Sequence, residues 1–233
     1  MFKHLKKTMA AAVLLSLSTI TNAAIITGSV PADYGVPTFG GSGIPNDQIS
    51  YMTFNNGAYL LGIAITPRFS SPDVTNSGNN YFAETGISAS APDRSKWNFS
   101  IFAAANSTMG FASLLEAGLT RLLFMYDMDS SSGTDFGTWD LSASLGLTPV
   151  IETSQNLSFN FLSVDGTDIF GNSITAPTGG SVFNPFASGN YEFKWVANGT
   201  DEVSANVSVP EPGTLAIFLL SAFGLISVRT LRK

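Results

Sequence analysis

The sequence contains no cysteine, and its only histidine is His4. The lack of cysteine excludes disulfide bonds, thiolate metal ligands and cysteine nucleophiles. The lack of histidine after position 4 excludes a Ser-His-Asp triad and a histidine-ligated metal centre from the rest of the chain. We therefore predict that the protein is not an enzyme and that it has no cofactor.

Charged residues are also scarce, and the basic ones lie mostly at the two ends. Asp, Glu, Lys and Arg make up 12% of the 233 residues, where about 25% is usual. Between positions 24 and 211, five basic residues stand against all 17 acidic ones, which gives a net charge of −12. Nucleic acids and anionic lipid surfaces attract basic proteins, so we expect no nucleic-acid partner.

The N-terminus has the pattern of an export signal. Lys3, Lys6 and Lys7 precede an apolar run over 9–17, and small and polar residues follow as far as Ala24. This order is typical of a secretory signal peptide, and the apolar run is shorter than the roughly 20 residues of a membrane-spanning helix. The pattern predicts a signal peptide over 1–23 that is cleaved after Ala23. An uncleaved anchor and an N-terminal core helix are the alternatives.

The C-terminus carries a three-part pattern. Val209, Pro210, Glu211 and Pro212 precede an almost wholly apolar stretch over 215–228, and a basic tail follows with Arg229, Arg232 and Lys233. The two prolines hold the chain extended and prevent helix formation. A helix of 14 residues is roughly 21 Å long, which is less than the ~30 Å hydrocarbon core of a bilayer. The basic residues favour the cytoplasmic side of the membrane and stop transfer.

This arrangement resembles the PEP-CTERM sorting signal of Gram-negative bacteria, which an exosortase in the inner membrane recognises. The resemblance spans Val209 to Lys233, about a tenth of the chain, and the basic residues are more spread out than in a tight cluster. It implies export, a transient inner-membrane anchor and processing by the exosortase near Val209–Pro212. It also implies release toward the cell surface or an exopolysaccharide matrix. A permanent C-terminal membrane anchor is the alternative.

Residues 24–208 form the predicted body, in which apolar residues recur with a period of two. The alternation predicts strands over 97–102, 191–196 and 203–209, with further strands over 59–66 and 157–162. Asn-Gly and Asp-Gly turns separate them. We predict an all-β fold, a single antiparallel, jelly-roll-like β-sandwich between the signal helix and the C-terminal hydrophobic helix. Its expected core includes Trp97, Phe99, Phe193 and Trp195.

Two further segments are less regular. Residues 111–118 are the one stretch with a helical pattern, and 119–126 favour a strand. Residues 126–140 and 183–193 are similar to stretches in other PEP-CTERM proteins, whose bodies are mostly uncharacterised. That similarity supports a surface β domain and implies no catalytic or binding residues.

One acidic cluster is a candidate calcium site. Asp127, Asp129, Ser131 and Asp135 supply oxygen ligands of the kind that Ca²⁺ prefers. Their spacing differs from that of an EF-hand, because Gly133 stands at the seventh place rather than the sixth. The alternative is a hairpin loop in which these side chains cap turns. The same carboxylates, with Asp140 and Glu152, leave a carboxylate-dependent hydrolase open as a weaker hypothesis.

Aromatic residues in or near loops suggest another function. Exposed aromatic rings can stack on sugar rings, and the candidates are Tyr34, Tyr51, Tyr81 and Trp139. The alternative is that these residues lie in the core or at a buried edge. The first hypothesis is an exported structural protein of the cell surface or extracellular matrix that associates with exopolysaccharide. The second is a carbohydrate-binding module on the cell surface.

Overall fold

A computed structural model describes residues 24–38, 47–69, 73–180 and 182–211. The predicted signal peptide with Ala23, the hydrophobic helix and the basic tail all lie outside these residues. The described part is all-β, as predicted, and its only helices are 3-10 turns of three or four residues: Ala32–Tyr34, Ser107–Met109, Ser142–Ser144 and Asn160–Ser163.

The described residues contain fifteen strands. In chain order these are β1 (Ile26–Gly28), β2 (Ile49–Phe54), β3 (Tyr59–Pro67), β4 (Thr75–Ser77), β5 (Asn80–Phe82), β6 (Ile87–Ser88), β7 (Ala91–Ser95), β8 (Trp97–Ala105), β9 (Leu122–Asp127), β10 (Phe136–Asp140), β11 (Val150–Gln155), β12 (Gly166–Thr167), β13 (Ser173–Thr175), β14 (Gly189–Ala197) and β15 (Asp201–Val209).

These strands form two large sheets and one hairpin. The five-stranded sheet has the order β1-β2-β3-β8-β11, and the eight-stranded sheet has the order β12-β13-β10-β9-β14-β15-β5-β4. Strands β6 and β7 pair with each other. Every pairing is antiparallel except that of β15 with β5, which is parallel. The eight-stranded sheet is therefore mixed rather than purely antiparallel.

The two large sheets share one apolar core, and aromatic rings make up much of it. Phe99 of β8 stacks on Phe124 of β9 with ring centroids 4.8 Å apart, and it also contacts Phe193 of β14. The indole Nε1 of Trp195 donates a hydrogen bond to the carbonyl of Phe102 across the sheets, at 3.1 Å. The predicted core residues Trp97, Phe99, Phe193 and Trp195 are all buried, which confirms that prediction.

The five-stranded sheet is also buried on its other face. Leu60 and Phe102 point away from the shared core and pack with Tyr34, which belongs to the segment that follows β1. This segment reaches β11, where the backbone N–H and the hydroxyl of Thr38 donate to the carboxylate of Glu152 at 3.1 and 2.7 Å. Apolar residues on both faces of β3 and β8 explain why their alternation in the sequence is incomplete.

The prediction of a strand over 157–162 is wrong. Asn156 is fully buried, and its side-chain Oδ1 accepts a hydrogen bond from the backbone N–H of Ser158 at 3.1 Å. Its amide group donates to the carbonyls of Ser95 and Trp97. This side chain turns the backbone, so the segment forms the 3-10 turn Asn160–Ser163 instead of a strand.

The helical pattern over 111–118 forms turns rather than a helix. The backbone N–H groups of Leu114 and Leu115 donate to the carbonyls of Thr148 and Leu145. Because these donors are used by a distant segment, they are not available for the bonds of a regular helix. The strand favoured over 119–126 is confirmed, since β9 covers most of that range.

Candidate functional site

The predicted processing motif begins at the end of β15. Val209 is the last residue of the strand, pairs with Gly189 of β14 and is 3% exposed. Pro210 and Glu211 follow directly and are exposed. The described part of the motif therefore leaves the sheet within one residue, and no linker separates it from the body.

Proline explains where the pairing stops. Pro210 has no backbone N–H and cannot donate to a neighbouring strand. Beside it lies an open groove of about 560 Å³, which is lined by Phe82, residues 188–190 and residues 208–211. The other predicted sorting residues, Pro212, Arg229, Arg232 and Lys233, lie outside the described residues.

The acidic loop after β9 is held by turn-capping hydrogen bonds. Oδ1 of Asp127 accepts from the N–H of Asp129, and Oδ1 of Asp129 accepts from the N–H of Ser131, both at 2.9 Å. The hydroxyl of Ser131 in turn accepts from the N–H of Gly133 at 3.3 Å. These bonds follow the pattern of the alternative interpretation, in which the polar side chains cap successive turns.

Asp135 is engaged elsewhere. Its carboxylate accepts hydrogen bonds from the backbone and hydroxyl of Thr178 and from the N–H of Gly179. These bonds lower the pKa of Asp135, and the bond from the Gly179 N–H has the largest effect on it. Within the described ranges, no three acidic or histidine side chains come together as metal ligands would. The structure thus does not bring the four predicted calcium ligands together.

Asp127 differs from the other acidic residues of this loop because it is 1% exposed. Burial raises the pKa of its carboxyl group to about 6, and the charges of Asp129 and Glu192 add to the increase. Removing a carboxylate from water disfavours its charged form. The ionised form of Asp127 therefore lowers the stability of the folded protein at neutral pH.

The remaining candidate carboxylates also accept hydrogen bonds. Asp140 accepts a hydrogen bond from the N–H of Ser142 at 3.0 Å, and Glu152 holds Thr38. Each of these contacts fixes a chain segment next to a strand.

The loop aromatics considered for sugar stacking are buried, in agreement with the alternative interpretation that places them in the core or at a buried edge. Tyr34, Tyr51, Tyr81 and Trp139 are all less than 9% exposed. Two of the hydroxyl groups have distant partners: Tyr81 donates to the carbonyl of Gln48 at 2.6 Å, and Tyr34 donates to that of Gly57 at 2.7 Å. These partners are 23 to 33 residues away in the chain, so no local sequence pattern could reveal them. Tyr34, Tyr51 and Tyr81 offer no ring face to a ligand.

A groove that the sequence did not reveal lies where the two large sheets part. It has a volume of about 550 Å³ and runs between β11 of one sheet and β10 and β13 of the other. Its walls are mainly apolar and include Trp139, Leu141, Ile151, Phe161, Phe170 and Ile174. Among the described residues that line it, none is Lys or Arg. We call this cavity the edge groove.

Asp168 organises one wall of the edge groove. Its carboxylate accepts hydrogen bonds from Trp139 Nε1 at 3.2 Å and from the backbone N–H groups of Phe170 and Asn172. Burial alone would raise the pKa of Asp168, but these bonds and one from the Asn172 side chain outweigh it and lower the pKa. The loop places Ile169 and Phe170 at the rim, where they are 92% and 63% exposed.

A comparison with protein families matches residues 208–233 to the PEP-CTERM protein-sorting motif. The chain carries a PEP-CTERM sorting motif. This finding confirms the resemblance seen in the sequence and places the start of the motif at Ser208, inside β15. The motif implies that the protein is exported, sorted in an exosortase-dependent manner and processed at the membrane by an exosortase as its partner.

The PEP-CTERM motif is the extent of the similarity found. No curated protein and no solved structure matches the chain significantly. Over the described residues, no helix has the length and apolar character needed to cross a membrane.

Proposed function

We propose that the protein is a non-enzymatic structural component of the cell surface or extracellular matrix that associates with exopolysaccharide after exosortase processing. One observation carries this proposal: the PEP-CTERM motif starts inside the last strand of a folded β body. The sorting signal is therefore attached directly to the domain that it delivers.

The chemistry of the body supports a structural role. It contains neither cysteine nor histidine, and the acidic side chains described above cap turns or tie segments together. For the body we propose a single β-sandwich, which is supported by the core that the two large sheets share. A jelly-roll-like arrangement of its strands stays a prediction.

Processing and location are tested together by fractionating cells. The full chain is expressed in a host that contains an exosortase and in the same host without it, and intact masses are measured for each fraction. We expect a C-terminally shortened protein outside the inner membrane only when the exosortase is present. A Glu211→Gln variant tests the motif. Recovery of the chain ending at Lys233 solely from the inner membrane of the exosortase host would contradict the proposal.

Association with polysaccharide requires a separate test. The processed protein is separated from cells with and without their secreted polysaccharide. We expect it to sediment with the matrix of the polysaccharide-producing cells and to appear in the medium of the others. Equal distribution in the two strains would rule out the association.

A second candidate function, carbohydrate binding, is supported by the edge groove. Phe161 and Phe170 lie at its wall with partly exposed rings, next to Trp139. Saturable binding of the purified protein on a glycan array, reduced by Phe170→Ala, is the expected result for a binding module. Absence of binding to any glycan would remove this candidate and leave the structural role.

A further inference from the structure

We propose that the peptide bond cut during sorting lies C-terminal to Glu211, so that the mature body keeps all of β15 together with Pro210 and Glu211. This inference rests on the proposed exosortase processing and adds the position of the cut. It comes from the way in which the last strand is held in the sheet.

Strand β15 is an interior strand up to its last residues. On one side it pairs with β14 as far as Gly189 and Val209, and on the other it pairs with β5 as far as Phe82 and Ser208. The carbonyl of Ser208 accepts a further hydrogen bond from the N–H of Ala83 at 3.1 Å. With both edges occupied, this part of the strand has no free edge to offer to an enzyme.

The inward side chains hold the same residues. Val207 and Val209 are 0% and 3% exposed and belong to the core that the two large sheets share. Drawing these residues into an active site would expose both valines and break pairings on both sides of the strand. The folded body therefore protects the peptide bonds up to Val209.

An enzyme that cuts a peptide commonly binds it in an extended form through main-chain hydrogen bonds. The residues on the N-terminal side of the cut must then be free of other strands. Pro210 and Glu211 are the first two residues beyond the sheet, and both are exposed. For an enzyme that holds at least two free residues before the cut, Pro210 and Glu211 are the first that the sheet leaves available, so the earliest position for the cut is after Glu211.

The reaction itself is an ordinary acyl transfer. The peptide C–N bond breaks, and the carbonyl carbon gains a bond to the oxygen or nitrogen of water or of an acceptor hydroxyl or amine. The proton of that nucleophile passes to the leaving amine. With water the body ends in a free carboxylate, and with an acceptor its mass increases by the acceptor less one water.

The first test identifies the C-terminal peptide of the processed protein by mass spectrometry, in the exosortase host. We expect the last residue to be Glu211 or a later one, with or without an attached acceptor. A C-terminus at Pro210 or at any earlier residue would overturn the inference while leaving exosortase processing intact. A chain that still ends at Lys233 would overturn the proposed function, and the inference with it.

The second test separates protection by the sheet from the specificity of the exosortase. The full chain is treated with a small amount of a broad-specificity protease under native conditions. We expect the body to remain intact through Val209, with no cut within 201–209. A cut there in a chain that keeps its near-UV circular dichroism would contradict the inference.

Gly189 offers a way to loosen the protected end. Its φ of +148° is unfavourable for other residues, and a Cβ at this position would overlap the backbone carbonyl of Ser130. Gly189→Ala should weaken the pairing with Val209 and make cleavage within 206–209 at least severalfold faster. Asn190→Ala is the matched control, because Asn190 is exposed and its side chain accepts a hydrogen bond from the Ser208 hydroxyl at 2.8 Å.

If Gly189→Ala loses its near-UV signal, Val209→Gly provides the second variant, since it removes one inward side chain without a steric overlap. The same severalfold acceleration is expected. Unchanged cleavage in a folded loosened variant would show that pairing at Val209 does not protect the strand, and would overturn the inference.

Discussion

Two regions of the body are rich in aromatic residues, yet one is closed and the other is open. In the shared core, Phe124 and Phe193 stack with ring planes 12° apart, and Trp195 meets Phe124 edge-on. In the edge groove, Trp139 meets Phe161 in a similar edge-on contact, but Phe170 remains mostly exposed. The difference arises from topology, because long central strands face each other in the core, while shorter strands toward one end of each sheet line the groove.

The comparison predicts its largest effect in the core. Phe193→Ala removes a fully buried ring that contacts three other aromatic side chains, so the free energy of unfolding should fall by about 3–5 kcal/mol. The matched control in the edge groove is Phe170→Ala, with an expected loss below about 1 kcal/mol. Urea unfolding measures both. Equal losses would show that the groove is as tightly packed as the core.

A smaller effect is expected at the strand that separates the two regions. Gly137 of β10 lies against the ring of Tyr126, and a Cβ at this position would overlap that ring. Gly137→Ala should lower the free energy of unfolding by about 1–3 kcal/mol because it overpacks the site.

The control for this substitution is Gly133→Ala in the exposed loop, where the nearest atom to a Cβ is the Ser131 hydroxyl at 3.8 Å. It should be neutral or slightly stabilising. If Gly137→Ala were equally neutral, the close approach of Tyr126 to β10 would be refuted.

The polar end of the core provides a pH-dependent test. The pKa of Asp127 is raised to about 6 from 3.8, so its ionised form is disfavoured in the folded state. Stability from this residue is therefore present below pH 4 and is lost as the pH rises through about 6. Asp127→Asn should be more stable than the natural protein at pH 7 by about 1–2 kcal/mol, and this advantage should vanish near pH 4.

Urea unfolding from pH 4 to pH 8 measures the difference between the two proteins, and the low-pH points serve as the internal control. An advantage of the Asn variant that stays constant over this range would contradict the raised pKa.

The smallest effect concerns the edge groove. An uncharged apolar dye such as Nile red should bind there, since the walls are apolar and the lining lacks cations. Phe170→Ser should raise the dissociation constant of the dye about fivefold, which corresponds to a loss of about 1 kcal/mol in binding free energy. Val36→Ser, at another exposed site, should leave it unchanged. Equal effects of both variants on fluorescence titrations would place the dye elsewhere.

The strands that could be predicted from the sequence are those in which every second residue is apolar and buried. Strands β14 and β15 alternate buried and partly exposed residues along almost their whole length, and the expected core aromatics follow from that alternation. The same approach wrongly predicted a strand over 157–162, because hydrogen bonds of the buried Asn156 side chain determine the backbone conformation there. A periodic pattern of apolar residues cannot show that Asn156 forms hydrogen bonds to residues about sixty positions away.

The sorting motif could be predicted from its residue types, but its position at the end of a paired strand could not. The order of Val209, Pro210, Glu211 and Pro212 before an apolar stretch was sufficient to identify the sorting motif. Val209 pairs with Gly189, and the residues just before it pair with the parallel neighbour β5. These partners are distant in the chain. The edge groove was missed for the same reason, since its walls come from several strands and loops spread over residues 139–174.

The central claim is that the body remains folded through Val209, directly before the exposed part of the sorting motif. Hydrogen exchange of the full chain, followed by mass spectrometry of peptides, tests it most directly. We predict that a peptide covering 203–209 exchanges as slowly as one covering 191–197 of the neighbouring strand. Exchange of 206–209 at the rate of an unprotected peptide, while 191–197 stays protected, would contradict the claim.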